Sequence, residues 1–203
     1  MNNIYKVIVA FMVLFALTMS AEAAKPVIVK HDGVNTIASF TQTVNGNTTD
    51  TYISGTWGND GTFVSFSSST YDEGWNYISS TYGYGPIDSS VGFVSVDRNK
   101  LNKAEMFISA MNVTVQTCDP VTYMCTEEPA VLKDIDVRFT GVGPVSKGSY
   151  KYTFNDGTFS IRYSDRSAFR YATAIGSVGG ETLGNAYYAN IGVYKSAQII
   201  TQK

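Results

Sequence analysis

The feature that most constrains the fold of this 203-residue chain is the alternation of apolar and polar side chains along most of its length. It is clearest at residues 134–139, where Ile135, Val137 and Phe139 alternate with three charged residues. Successive side chains of a β-strand point to opposite faces of a sheet, so a period of two separates the apolar residues from the charges. The pattern predicts strands with one buried face.

Turn signals rich in Gly, Asn and Asp separate the alternating segments. They lie at residues 45–46, 60–61, 72–74, 98–100, 156–157 and 179–180. Short alternating runs between such turns are typical of all-β proteins. We therefore predict an all-β fold, an antiparallel β-sandwich or a closed β-barrel of roughly ten to twelve hairpin-connected strands. Residues 101–111 contain helix formers, but their continuation into Val113 and Val115 favours a strand there too.

The pentapeptide NDGTF occurs twice, at residues 59–63 and 155–159. Calcium-binding loops need several carboxylates at fixed offsets and each copy has one, so we interpret both copies as hairpin turns. Placing Asp156 and Gly157 at the centre of a type I′ turn pairs Phe154 with Phe159, an apolar cross-strand pair. The same placement in the first copy predicts the pairs Trp57 with Val64 and Gly55 with Phe66.

Residues 1–23 have the organisation of a secretory signal peptide. Lys6 precedes an apolar run at 7–19, and Ala21 and Ala23 form an A-x-A cleavage pattern. The run is shorter than the about 20 residues of a membrane-spanning helix, and no later run is as long. We expect cleavage after Ala23 and a mature chain, 24–203, that forms a single all-β domain. It would be secreted, or located in the periplasm or at the cell surface, and not held in a membrane.

The charged residues argue against several function classes. Lys and Arg number 15 against 17 Asp and Glu, without a basic cluster, so nothing predicts nucleic-acid binding. A zinc site needs about four ligands, and the single histidine, His31, is remote in sequence from both cysteines. We expect no metal and no cofactor, and we expect His31 to be solvated in a mobile terminal segment.

Cys118 and Cys125 are the two cysteines of the chain and bracket a proline-containing turn. In an exported protein this arrangement predicts a disulfide that closes a hairpin.

Residues 69–86 (STYDEGWNYISSTYGYGP) interleave aromatic residues with Gly, Ser and Asn. Aromatic rings on exposed segments stack on sugar rings and also suit protein recognition, and small polar residues supply hydrogen bonds. The candidate ligand-binding residues are Tyr71, Trp75, Tyr82 and Tyr84. Tyr82 and Tyr84 lie between glycines and are expected to be exposed. Trp75 shares strand parity with Tyr77, which favours a core position for Trp75.

The chain from residue 139 onward resembles the C-terminal half of secreted all-β proteins of bacteria and archaea that have no characterised activity. The elements that carry the resemblance are a G-x-G-P turn at 141–144, an R-x-A-T-A strand at 170–174 and the preceding cysteine hairpin. It implies secretion and an all-β fold, and it implies no activity.

Three function classes follow. We favour a secreted non-catalytic module that binds glycan or another surface polymer through exposed aromatic residues. The alternative is a structural or protein-binding component of the cell envelope or the extracellular space. A glycan-active enzyme is disfavoured, because the sequence shows no nucleophile–base pair.

Overall fold

The computed structural model of the protein describes residues 25–119, 121–122 and 124–202, with the backbone alone at 129 and 130. The predicted signal peptide and its cleavage site lie outside this range. Every regular element in the described residues is a β-strand, and no helix there could cross a membrane. The eleven strands are β1 (Val27–Val44), β2 (Asn47–Gly58), β3 (Gly61–Tyr71), β4 (Tyr77–Ile87), β5 (Gly92–Val96), β6 (Lys103–Cys118), β7 (Cys125–Gly141), β8 (Ser146–Asn155), β9 (Phe159–Val178), β10 (Glu181–Asn185) and β11 (Tyr188–Gln202).

The strands form one sheet whose neighbours run in the order β10-β9-β11-β1-β2-β3-β4-β6-β5. In addition, β7 pairs with β6 and β9, and β8 pairs with β9. Following β1, β2, β3, β4, β6, β7, β9 and β11 therefore leads back to β1. The predicted class, an all-β antiparallel fold of roughly ten to twelve strands, is confirmed, and so is the strand at 101–111, which belongs to β6 from Lys103 onward.

Two compact units divide the described chain. The larger contains Lys30–Tyr150 and Asp165–Ser196, and it holds the apolar core. Ile135, Val137 and Phe139 are all buried in that core, as their alternation with charges predicts. The smaller unit contains Lys151–Ser164 and the described residues 25–29 and 197–202.

The turn of the second NDGTF copy lies in the smaller unit. Gly157 has φ 95°, as predicted, and the rings of Phe154 and Phe159 lie 5.6 Å apart. The type I′ assignment is wrong, because that turn needs positive φ at both central residues and Asp156 does not have it. Instead, one carboxylate oxygen of Asp156 accepts the backbone N–H groups of Thr158 and Phe159 at 2.9 Å each.

The first copy departs from its predicted register by two residues. Trp57 pairs with Thr62 and Gly55 with Val64, so the predicted partners Val64 and Phe66 are wrong. Gly58 pairs with Gly61, which leaves residues 59 and 60 at the turn and gives Gly61 a φ of 102°. In both copies the glycine has a positive φ. In the first copy, however, Gly61 follows the two turn residues, whereas the prediction placed it at the centre of the turn.

The loop of the first copy is attached to β1. The side-chain oxygen of Asn59 accepts the N–H of Asp32 at 2.9 Å, and its amide donates to the carbonyl of Lys30 at 2.5 Å. His31 Nδ1 lies 2.5 Å from a carboxylate oxygen of Asp60. His31 lies in β1 and not in a segment without secondary structure, and its side chain is 40% exposed, in agreement with the expectation that it is solvated.

Two sequence elements behind the family resemblance contact each other in the larger unit. Arg170, from the R-x-A-T-A strand, donates from Nε to the carbonyl of Gly143 in the G-x-G-P turn at 2.8 Å. The same guanidinium donates to the carbonyl of Lys100 at 3.1 Å and to the side chain of Asn102. Arg170 thus ties two loops to β9, which is a structural role.

The predicted disulfide is confirmed. Cys118 and Cys125 are directly opposite each other in the β6–β7 pairing and are bonded. It closes the hairpin at the point where β6 ends and β7 begins.

Candidate functional site

Alternation along β3 separates a core face from an outward face. Thr62, Val64 and Phe66 are buried. The intervening positions therefore point outward and carry, in order, Phe63, Ser65, Ser67, Ser69 and Tyr71. A row of hydroxyl groups thus lies between two aromatic rings on the outside of one strand.

The neighbouring strands extend this outward surface. Tyr52 of β2 is opposite Ser67, which is in turn opposite Tyr82 of β4. One row further, Ser65 is opposite Tyr84. We call this surface the aromatic face, and it comprises Tyr52, Phe63, Tyr71, Tyr77, Tyr82 and Tyr84, with Trp75 in the turn between β3 and β4.

Two of the predicted site residues meet at the β3–β4 turn. The ring centroid of Tyr71 lies 6.1 Å from that of Trp75 and 6.0 Å from that of Tyr77. Trp75 is 70% exposed, so the core position favoured from its parity is wrong. It lies in the turn that precedes β4, and the pairing shifts register between Thr70 and Tyr71, so strand parity does not extend to it.

Asp72 organises this turn. One of its carboxylate oxygens accepts the backbone N–H groups of Gly74 and Asn76 at 2.8 Å each, and the Asn76 side chain donates to the other at 2.9 Å. These bonds, led by the Asn76 side chain, lower the pKa of Asp72 below its ordinary value. The turn holds Trp75 at φ 63°, a region that bulky residues rarely adopt.

Tyr82 and Tyr84 occupy the middle of β4, and their predicted exposure is confirmed at 36% and 76%. Between them, Gly83 faces the core and β6, where a β-carbon would lie 2.7 Å from the carbonyl oxygen of Asn112. The Tyr82 hydroxyl donates to Glu127 at 3.1 Å, and this bond raises the pKa of the phenol. The Tyr84 ring lies 6.5 Å from that of Phe63.

The four predicted residues therefore share one face in two groups. Tyr77, beside Tyr71 and Trp75, is five positions from Tyr82 along β4, roughly 17 Å at about 3.4 Å per residue. Ser69 and Ser80 are opposite each other in the interval between the groups. The aromatic rings of this face can stack on a ligand, and its hydroxyl groups can form hydrogen bonds to the ligand. Across the described residues, no three His, Cys, Asp or Glu side chains form a group that could hold a metal.

Sequence reasoning missed Tyr52, Phe63 and Tyr77 as members of this face. The outward serines of β3 alternate with core residues in the stretch FVSFSSSTY, so their position on the outward face could have been predicted from the sequence. The rows across β2, β3 and β4 depend on register, which the sequence did not settle.

Comparison with protein-family models, curated proteins and solved structures finds no match to this chain.

Proposed function

We propose that the protein is an exported, non-catalytic binding module whose aromatic face binds a glycan. The observation that carries the proposal is Trp75, a bulky apolar side chain that is largely exposed and has a positive φ. An L-residue in this conformation costs about 1–2 kcal/mol, which Gly or Asn would largely avoid. The contact with the Tyr71 ring leaves Trp75 70% exposed, so packing offsets only part of this cost and a binding role accounts for the tryptophan.

The composition of the face supports a sugar ligand. Rings at both ends offer apolar surfaces for stacking, and the serines between them offer donors and acceptors for sugar hydroxyls. Strand β4 (YISSTYGYGPI) carries no charged residue, and the Glu127 carboxylate beside it accepts the Tyr82 hydroxyl. The Cys118–Cys125 disulfide suits an oxidising compartment, where extracellular glycans occur.

The experiment begins with a glycan array probed with the mature chain, residues 24–203, and continues with titration of the best glycan. In a Trp57→Phe background Trp75 is the one remaining tryptophan, so its fluorescence reports binding at the face. Replacing Tyr82 and Tyr84 together by Ala should weaken binding about tenfold for each lost stacking contact. Stability should change little, because exposed side chains contribute little to folding.

Two controls make the result specific. Tyr187→Ala removes a tyrosine that is 69% exposed but lies outside the aromatic face, and it should leave affinity unchanged. Trp75→Asn removes the ring but introduces a residue that tolerates positive φ. It should therefore preserve the turn and still weaken binding. An array without any bound glycan, or equal affinity of the double variant and the parent, would refute the proposal.

A further inference from the structure

A second feature of the larger unit is a pocket of about 600 Å³, distinct from the aromatic face. Its volume falls within the roughly 300–1,000 Å³ of small-molecule sites. The lining comes from the start of β1, the β5–β6 loop, β8, β9 and β11. It contains four cationic side chains (Arg98, Lys147, Arg166 and Lys195) and one carboxylate (Asp32).

Asp32 holds two of the cations in place. Its carboxylate accepts from Arg98 Nη1 at 2.7 Å and from Lys195 Nζ at 3.0 Å. Arg98 also lies over the Trp57 ring, with its Cζ 5.2 Å from the ring centroid. The β5–β6 loop that carries Arg98 is fixed in turn, because Asp97 accepts the N–H of Asn99 and its carbonyl accepts the N–H of the buried Leu101.

Lys147 and Arg166 take no part in the four ion pairs found among the described residues. Four positive groups and one negative group leave the lining at +3, while the whole chain carries −2. Like charges collected in one place repel each other and weaken the compact state. A bound anion would relieve this repulsion, so the charge pattern favours an anionic ligand.

The remaining lining suits a carbohydrate. Ser149, Ser167 and Asn99 provide hydrogen-bonding groups, and Tyr194 provides a ring. Tyr194 packs closely against Gly33, where a β-carbon would lie 2.5 Å from its hydroxyl oxygen. Burial is the main cause that raises the pKa of Tyr194, so the phenol stays a neutral donor at physiological pH.

We propose that this pocket binds an acidic sugar, whose carboxylate or sulfate groups contact Lys147, Arg166 and the Arg98–Lys195 pair. The sugar ring and its hydroxyls contact Tyr194 and the two serines. The proposal does not depend on the ligand of the aromatic face.

The test uses two acidic probes, tetragalacturonate and a sulfated tetrasaccharide, titrated calorimetrically into the mature chain. The fully methyl-esterified tetragalacturonate is the neutral control of equal length. In a Trp75→Phe background, Trp57 beside Arg98 provides an independent optical signal. We expect at least one acidic probe to bind, and we expect the methyl ester to bind at least tenfold more weakly than the free acid if tetragalacturonate is that probe.

The variant Lys147→Gln/Arg166→Gln should weaken binding of the acidic probe at least tenfold. The matched variant Lys103→Gln/Arg138→Gln loses the same charge at exposed positions outside the pocket and should bind within about twofold of the parent. Failure of both acidic probes to bind, equal binding of the methyl ester, or equal loss in the two double variants would overturn the proposal. Displacement of the probe by inorganic phosphate at similar concentration would reduce the pocket to a simple anion site and overturn the sugar assignment.

The outcomes also separate this proposal from that for the aromatic face. The Lys147→Gln/Arg166→Gln variant should retain the glycan affinity of the face, and the Tyr82→Ala/Tyr84→Ala variant should retain the acidic probe.

Discussion

The aromatic face and the pocket lined by Arg98, Lys147, Arg166 and Lys195 are assembled in opposite ways. The face comes from three consecutive strands, β2, β3 and β4, joined by two short turns. The pocket collects side chains from β1, the β5–β6 loop, β8, β9 and β11. The face therefore depends on local alternation and hairpin register, whereas the pocket depends on pairing between segments far apart in the chain.

The two surfaces also differ in the chemical groups that they present. The face offers neutral rings and hydroxyls, and the pocket offers a net positive charge around Asp32. A surface made by one stretch of chain can be altered residue by residue without disturbing the remainder. A pocket shared by five segments is sensitive to any change that moves one of them.

The largest expected effect is a loss of stability when Gly33, which packs against the pocket residue Tyr194, is replaced by Ala. Gly33→Ala places a β-carbon 2.5 Å from the Tyr194 hydroxyl and 2.8 Å from the carbonyl oxygen of Trp57. We expect a loss of about 1–3 kcal/mol in the free energy of unfolding, because overpacking forces neighbours to shift. Gly148 lines the pocket itself, and a β-carbon there meets only the Ser167 hydroxyl at 3.3 Å, so Gly148→Ala should lose much less. Urea denaturation measures both, and equal losses would show that the close packing of Tyr194 is unimportant.

Salt should distinguish the two proposed binding sites. Raising NaCl from 50 to 500 mM should weaken acidic-probe binding at the pocket by about tenfold, because salt screens exposed charges. Glycan binding at the aromatic face should change less than about twofold, because it involves neutral groups. Titrations at the two salt concentrations test this difference. Equal salt sensitivity at both sites would mean that the two surfaces do not differ in the way described.

The smallest expected effect concerns Asp32. A hydrogen bond from Lys195, followed by one from Arg98, lowers the pKa of Asp32 below its ordinary value of 3.8. A lowered pKa stabilises the folded state above the unfolded-state pKa, and the contribution disappears as pH falls through the folded-state pKa. Asp32→Asn should therefore lose a few tenths to about 1 kcal/mol at pH 7, as is usual for exposed ion pairs.

The difference between Asp32→Asn and the parent should stay constant from pH 8 to about pH 5 and shrink below about pH 4. Denaturation series at several pH values measure it. A difference that persisted unchanged at pH 2 would rule out the ionised carboxylate as its source.

The parts of the molecule that could be predicted from sequence are those governed by neighbouring residues. The burial of Ile135, Val137 and Phe139 follows from period two, and the disulfide follows from two cysteines around a turn. The exposure of Tyr82 and Tyr84 follows from their flanking glycines.

The errors occur where a turn or a distant segment decides the outcome. Trp75 was misplaced because the Asp72 turn ends strand parity before β4 begins. The register of the first NDGTF copy and the turn type of the second were wrong because Asn and Asp side chains can close more than one kind of turn. The pocket left no local signal, since Asp32 and Lys195 come from opposite ends of the chain.

The pairing of β1 with β11 has a consequence for the time course of folding. These are the first and last strands of the described chain, and they are hydrogen-bonded neighbours. During synthesis β1 emerges long before its second partner, so one of its edges stays open until β11 arrives. An open strand edge invites pairing with other chains, and contacts between distant segments form slowly. The chain therefore passes through a period of exposure to aggregation that lasts at least until β11 is in place.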